Sequence, residues 1–268
     1  MQIEKPMLAG KYDPKKAQFP YAATPKIDGI RFLMVDGVAV SRSFKPIKNK
    51  YIQEKLSAAL PDGVDGELTS GDSFQSSTSA IMRITGEPQF KVWIFDYLNP
   101  NSEIKGYTER MKELRDFEPL DLPCYEILYP VFLSTQEEVD ALMIRYLNDG
   151  FEGVMLRAPN GTYKFGRATT NSNILLKVKS FMDSEAKVIG FKEKMVNCNE
   201  ASKDAFGHSE RSTAKDGLVP ADTLGGFILR MDDGREFSCG SGLNDALREQ
   251  IWNNQADYLG KLVKYKFM

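Results

Sequence analysis

The sequence predicts an α+β fold of antiparallel sheets with flanking helices, followed by a smaller unit that forms a small β-barrel. Three observations predict it. Runs of β-branched and aromatic residues alternate irregularly with segments of helical period. Two of these runs, Arg31 to Val35 and Val38 to Ser41, are joined by Asp36-Gly37, a favoured two-residue hairpin turn. After residue 182 the pattern becomes small and β-rich. A chain of 268 residues is long enough to divide into one large and one small domain, here about 1–182 and 183–268.

Tyr21 to Ile27 reads as a strand ahead of the hairpin. Tyr51 to Leu60 has helical spacing, Asp65 to Leu68 and the very apolar Phe90 to Leu98 read as strands, and Thr135 with Glu138 forms a capping-box pattern. The helix that follows places Val139, Leu142, Met143, Tyr146 and Leu147 on one face and stops at Gly150. Gly153 to Arg157 and Ile174 to Lys179 are two further strands, and Phe181-Met182-Asp183-Ser184 marks a change of domain. The tail has strands at Ala186 to Phe191, Phe227 to Met231, Glu236 to Cys239 and Lys261 to Phe267, and a helix at Asn244 to Asn253. Between its first two strands lies a polar stretch from about 192 to 224, far longer than an ordinary connection, which reads as a functional or disordered loop.

The composition excludes several classes. A hydrophobic fraction of 42% and a charged fraction of 27% are those of a globular chain, which sets disorder aside. Nowhere do about 18 apolar residues run together, and the first six residues lack a signal-peptide core, so an intracellular, soluble protein with no membrane partner is expected. Cys124, Cys198 and Cys239 have no C-x-x-C spacing and one histidine, His208, beside them, so they read as free thiols rather than zinc ligands. A net charge of −2 argues against coating DNA by bulk electrostatics. Any nucleic-acid contact must be local, through clusters such as Arg42, Lys45, Lys48 and Lys50 or Lys164, Arg167, Lys177 and Lys179.

Lys26-Ile27-Asp28-Gly29 puts a lysine beside a carboxylate and a glycine at a strand end. K-x-D-G alone arises by chance in about one such chain in twenty. Its company carries more weight: Ser41-Arg42-x-x-Lys45, Asp65-Gly66-Glu67-Leu68, Phe95-Asp96-Tyr97, Glu152 to Arg157, and Leu175 to Lys179. Each sets polar or aromatic residues at the end of a strand, where charges such as Lys177 and Lys179 would be costly if buried without a partner. They call for an anionic ligand or carboxylates. Glu67 and Glu152 suit a divalent cation or ribose hydroxyls, and Phe95 suits a purine face, so the set describes a nucleotide site.

These motifs, in this order and spacing, resemble those of the covalent nucleotidyltransferases, the ligases and mRNA capping enzymes. The chain is most similar to the minimal ATP-dependent DNA ligases of the chlorella-virus type, through Ala23-Thr24-Pro25-Lys26, 41–49, 151–157 and 163–167, and on to Gly242-Leu243 and 260–264. The resemblance implies a nucleotidyltransferase (ATP-grasp-like DNA ligase) domain followed by an OB-fold, with ATP and Mg2+ or Mn2+ as cofactors, nicked duplex DNA as partner, and a monomer. It makes Lys26 the nucleophile that takes AMP, within a nucleotide site that includes Thr24 and Pro25. Phe95 would stack on adenine, Glu67 would reach the ribose or a metal, Glu152 would help hold the metal, and Lys177 and Lys179 would neutralise the α-phosphate. Arg31, Arg42 and Arg167 would grip AMP and the 5′-phosphate of the nick. Arg42 and Lys45, with Lys192, Lys194, Lys203, Arg211 and Lys215 of the long insertion, would contact DNA, the insertion acting as a latch.

The chemistry fits the residue types. A lysine at its reference pKa near 10.4 is neutral in about one molecule in 2,500 at pH 7, so its charge must be disfavoured, which Lys177 and Lys179 can do. Nucleotidyl transfer depends on in-line positioning and charge neutralisation, which suits lysines, arginines and acids rather than a histidine base. Beyond Lys264-Tyr265-Lys266-Phe267 the relatives continue into an Arg-Phe-Pro segment that serves the first step, whereas this sequence ends at Met268. If these 268 residues are the whole working protein, slow labelling from ATP, but near-normal sealing of a nick already carrying 5′-AMP, is the expectation; full activity with ATP would mean that another basic residue substitutes or that the chain is part of a longer protein. The same lysine would serve an mRNA guanylyltransferase or RNA ligase, and an OB-fold with a basic cleft can bind strands without chemistry.

Overall fold

The computed structural model describes residues 3, 5–71, 73–99, 102, 104–117, 120–122, 124–179, 182–203 and 209–267, apart from the side chains of 182, 183 and 267. Phe181, within the expected change of domain, and His208 lie outside the described residues. The chain divides into two compact units, Met1–Ser180 and Phe181–Met268.

The first unit holds two five-stranded sheets. One runs in the order Gly10–Lys11, Leu175–Lys179, Gly153–Arg157, Tyr21–Lys26, Val131–Leu133, and the other Val38–Ser41, Ile30–Val35, Val64–Thr69, Lys91–Tyr97, Tyr125–Ile127. Both are antiparallel except for one parallel edge each, Gly10–Lys11 in the first and Tyr125–Ile127 in the second. Tyr21–Lys26 and Ile30–Val35 belong to different sheets, so Ile27-Asp28-Gly29 carries the chain from one to the other. A Cβ at Gly29 would lie 2.3 Å from the Leu68 carbonyl oxygen, so only glycine passes there. The Asp36-Gly37 hairpin is formed, with φ of 51° and 74°, the left-handed pair such a turn needs.

Register decides what faces what. Gly153 pairs with both Lys26 and Lys179, and Met155 with both Thr24 and Lys177, so these side chains share one face. On the other face Tyr21, Ala23, Val154, Leu156 and Leu176 pack with Val139, Leu142 and Tyr146. Those last three belong to the helix Gln136–Asn148, which opens on the Thr135–Glu138 capping box and ends before Gly150 at φ 85°. Leu147, expected on its buried face, is exposed; it falls about 80° round the helix from Val139. The second sheet buries Phe32, Met34, Leu68, Val92 and Ile94 with Ile52 and Leu56 of the helix Lys50–Ala59, whose first turn is capped by Asn49.

Two helices of this unit are not apparent in the sequence. Phe74–Ile81 is rich in serine and threonine, which compete with the backbone for hydrogen bonds, and its capping box uses Ser73 and Ser76 where the usual pattern has Glu or Gln. Tyr107–Leu114 hides its inward face because one of the buried residues is Arg110, held by Asp96 at 2.8 and 3.0 Å.

In the second unit the order is Glu236–Cys239, Leu218–Arg230, Met182–Asn197, Leu262–Phe267. Ala186, Val188, Leu224, Phe227 and Leu229 pack with Ile251 of the helix Asp245–Asn253, which Asn244 caps. Among the described residues the sheet stays open rather than closing as the expected barrel. Its edge strands have only four and six residues and pair inward, not with each other. The expected loop of about 192–224 is instead an antiparallel arm. Met182–Asn197 pairs with Leu218–Arg230 as far as Asn197 with Leu218, and the short pair Ala201–Lys203 and Ser209–Arg211 lies beyond. Its strands are exposed or half-exposed on both sides, with Met195, Val196 and Val219 open to solvent, so burial left no period in the sequence to read. All three cysteines are free, and among the described residues no helix is long and apolar enough to cross a membrane.

Candidate active site

A cavity of about 560 Å³ opens in the first unit, within the usual range for a small-molecule site. Thr24, Pro25, Lys26 and Lys177 line it from the first sheet, and Arg31, Glu67 and Phe95 from the second, with Arg42 and Arg167 also at its wall. Phe95 reaches it through a bulge. Asp65 pairs with Asp96 and Gly66 with Ile94, so Phe95 is the extra residue and is re-aimed.

Lys26 is the last residue of its strand. Its ammonium donates to one oxygen of Glu152, and the other oxygen takes Lys179, so one carboxylate joins two lysines. Gly153, between them in register, adds no side chain to this row. Partial burial favours the neutral acid of Glu152, but hydrogen bonds from Lys179 and Lys26 outweigh it and hold the group below the usual carboxylate range. Lys177 is pushed down by burial, with Lys179, Lys26 and Arg167 adding like charge. A cationic floor of this kind stabilises an anion placed over it.

Glu67 is pushed up to about 7 by burial, against the pull of Arg31 and Lys26. Arg31 is engaged inside the protein: Nε and Nη2 donate to Asp65 at 2.9 and 2.6 Å, and Nη1 donates to the Met7 carbonyl at 2.7 Å. Its guanidinium carbon also lies 5.3 Å from the Phe95 ring centre. Arg42 is exposed at the rim, and Arg167 is exposed with Nη1 donating to the Ala9 carbonyl at 3.2 Å.

The sequence-derived DNA contacts divide by unit. Arg42 and Lys45 belong to the first and are exposed. Lys192, Lys203, Arg211 and Lys215 are exposed on the second, where Lys194 pairs with Asp245 at 3.2 Å and Arg211 donates to the Asn199 carbonyl. Among the described residues no three of His, Cys, Asp and Glu converge to cage a metal. Magnesium usually takes one or two carboxylates and completes its shell with phosphate and water, so Glu67 and Glu152, both beside Lys26, suit an ion that arrives with a nucleotide.

Several lining residues went unnoticed in the sequence. Phe74, Thr78 and Met82 repeat every four residues along and just past a helix with no apolar signature. Met155 and Arg157 lie inside a quoted motif, where only the acid drew notice. Asp65 holds Arg31, and Asp96 holds Arg110.

Comparison with known proteins adds the following. The family model described as a DNA ligase OB-like domain matches residues 219–268. Two structures of Chlorella virus DNA ligase-adenylate are 33% and 34% identical to this chain with a TM-score of 0.63, over 100% of this chain and 96% and 92% of theirs. A structure of Lig E DNA ligases, described as DNA binding with a minimal scaffold, is 21% identical with a TM-score of 0.73, over 99% of this chain and 93% of its own. The ATP-dependent DNA ligase from bacteriophage T7 in complex with ATP is 16% identical with a TM-score of 0.53, over 99% of this chain and 94% of its own. These last two share the fold. No curated protein matches the sequence.

Proposed function

This chain belongs to the minimal, viral-type ATP-dependent DNA ligases, and from that premise we propose that it seals nicks in duplex DNA by way of AMP carried on Lys26. The observation that carries the proposal is the lysine row on one sheet face, in which Lys26 and Lys179 share Glu152 with Lys177 one row away. A structural lysine has no need of two further lysines beside it, because like charges gathered in a half-buried site are costly without an anion.

Three transfers follow. Neutral Lys26 Nζ attacks the α-phosphorus of ATP, the P–N bond forms, and the bond to pyrophosphate breaks. An oxygen of the nick's 5′-phosphate then attacks that phosphorus, the P–N bond breaks, and Nζ regains a proton. Last, the 3′-hydroxyl attacks the 5′-phosphate, AMP leaves, and the phosphodiester closes. Lys177 and Lys179, on the same sheet face as Lys26, would neutralise the α-phosphate, with charge set in place before the reaction. Phe95 offers its ring to adenine, Glu67 its carboxylate to the ribose, and Arg42 and Arg167 their guanidiniums to AMP and the 5′-phosphate. Arg31 serves chiefly by locking Asp65 and the Met7 carbonyl in place. A magnesium or manganese ion, held by Glu152 and Glu67 together with the phosphates, would supply further positive charge.

The second unit and its arm would hold the duplex through Lys192, Lys194, Lys203, Arg211 and Lys215, with the protein acting as a monomer. Such an enzyme serves DNA replication, repair or recombination. Incubation with α-labelled ATP and magnesium tests the reading. Label should stay on the denatured chain, and Lys26→Ala should carry none while still binding nicked DNA. Label on Lys26→Ala would sink the assignment.

A further inference from the structure

Met7–Leu8 and Gly166–Arg167 pair in parallel as a two-stranded sheet apart from both five-stranded sheets. So short a pair is marginal by itself. It nevertheless builds a wall of the cavity, which Leu8, Ala9 and Arg167 line. Arg167 leans on the partner strand: the Leu8 carbonyl accepts from the Ala168 N–H at 2.7 Å, and the Ala9 carbonyl takes Arg167 Nη1 at 3.2 Å. Where the Arg167 guanidinium stands therefore follows from where residues 7–9 are held.

A buried polar clamp holds them. The Tyr163 hydroxyl oxygen accepts the Met7 N–H at 2.8 Å, and Arg31 Nη1 donates to the Met7 carbonyl at 2.7 Å, so side chains take both polar groups of one backbone residue. Both grips rest on the same anion. Tyr163 donates to Asp65 Oδ2 at 2.9 Å, and Arg31 donates to the two Asp65 oxygens at 2.9 and 2.6 Å. Met7, Asp65 and Tyr163 are 1%, 0% and 4% exposed. Burial and the charge of Asp65 hold the Tyr163 phenol well above its ordinary range, so it stays protonated and can donate. Without that oxygen the Met7 N–H would be buried and unsatisfied, a cost that the marginal two-residue pair is poorly placed to bear.

We propose that Tyr163 is a positioning residue for Arg167: its hydroxyl, anchored on Asp65, fixes the Met7 backbone and thereby sets the Arg167 guanidinium at the cavity wall. The inference rests on the proposed ligase reading for what Arg167 does with AMP and the 5′-phosphate, and adds the device that aims it.

Tyr163→Phe tests it, because the variant keeps the ring and its edge contact with Phe165, 5.8 Å between centres, and removes only the hydroxyl. Labelling from ATP under single-turnover conditions should lose about tenfold in kcat/KM when the substitution is made in the parent, and less than about twofold when it is made in Arg167→Ala, where no guanidinium is left to aim. A substitution that merely destabilised the fold would lower both backgrounds alike. Hydrogen exchange without nucleotide or DNA gives a second readout. The segment Met7–Ala9 should exchange about tenfold faster in Tyr163→Phe, while the strand Lys91–Tyr97 is unchanged. If Tyr163→Phe fails to fold, the parent carries the test, since its Met7 amide should be as protected as those of the five-stranded sheets. Equal losses in the two backgrounds, unaltered exchange of Met7–Ala9 in the variant, or an unprotected Met7 amide in the parent would overturn the proposal. A parent that takes no label from ATP, with exchange at Met7–Ala9 still quickened by Tyr163→Phe, would remove the ligase reading and leave the clamp standing, a separable result.

Discussion

Glu152 is joined to Lys26 twice: its backbone N–H donates to the Lys26 carbonyl at 3.0 Å, and its carboxylate takes the lysine's ammonium. The first contact sets where the carboxylate starts, and the second draws Nζ towards Lys179, which the same carboxylate holds. Replacing Glu152 with alanine should leave Lys26 and Lys179 repelling each other with no anion between them. Labelling from ATP should fall on the order of a hundredfold, and the melting temperature should fall as well, because two like charges are left together in a half-buried site. A variant that labels at the parent rate would show that the bridge has no part in aligning the nucleophile.

Much of this site was legible in the sequence, and the reason is local. Lys26, Glu67, Phe95, Glu152, Lys177 and Lys179 all sit in or beside short strands, so chemistry and β-pattern coincide within a few residues. The sheet-to-sheet crossover at Ile27-Asp28-Gly29 was not legible, because pairing partners are set by distant strands. Helix Tyr107–Leu114 was hidden for an electrostatic reason: Arg110 interrupts the apolar stripe, and its burial depends on Asp96, which comes from another element. The hydrogen bond from Arg157 to Thr24 joins residues 133 apart in sequence and was equally out of reach.

Glu67 gives the pH behaviour a definite sign. Its carboxyl is pushed up from 4.5 to about 7 by burial, so between those values the folded chain binds a proton that the unfolded chain has released. This contribution to stability is fully present below about pH 4.5 and is lost as pH rises through about 7. Glu67→Gln mimics the protonated form at every pH. The melting temperature of the glutamine variant should therefore match the parent near pH 4.5 and rise above it by pH 8. A constant difference between the two across that range would contradict the account.

Arg110 is fully buried and takes both oxygens of Asp96, itself 1% exposed. Its other contacts, to the Lys105 and Gly161 carbonyls at 2.8 and 3.1 Å, are neutral acceptors and cannot replace the charge. Asp96→Ala should cost about 3–5 kcal/mol in urea unfolding, since one buried charge is left alone. Arg110→Met with Asp96→Leu should recover most of that loss, because replacing both partners with apolar groups removes the stranded charge. Equal stability of the alanine variant and the parent would mean that water reaches Arg110.

The arm of the second unit should separate from the chemistry. None of the buried residues of that unit's core lies between 196 and 220, and the arm is held by its own cross-strand pairing. Met195 and Pro220 are partners in register, so replacing Val196–Val219 by a two-residue Asn-Gly turn rejoins the strands without disturbing the sheet below. The deletion takes away Lys203, Arg211 and Lys215 and keeps Lys192 and Lys194. Each cation that meets a phosphate releases counterions, so losing three should lower the slope of log affinity against log salt by about three on nicked duplex. Affinity at moderate salt should fall on the order of tenfold to a hundredfold. Lys26 and the residues lining its cavity lie in the first unit, so labelling from ATP in the absence of DNA should stay within about twofold of the parent. Unchanged affinity and salt slope in the deleted protein would show that the arm does not touch DNA, and a matching fall in labelling would show that it supports the nucleotide site instead.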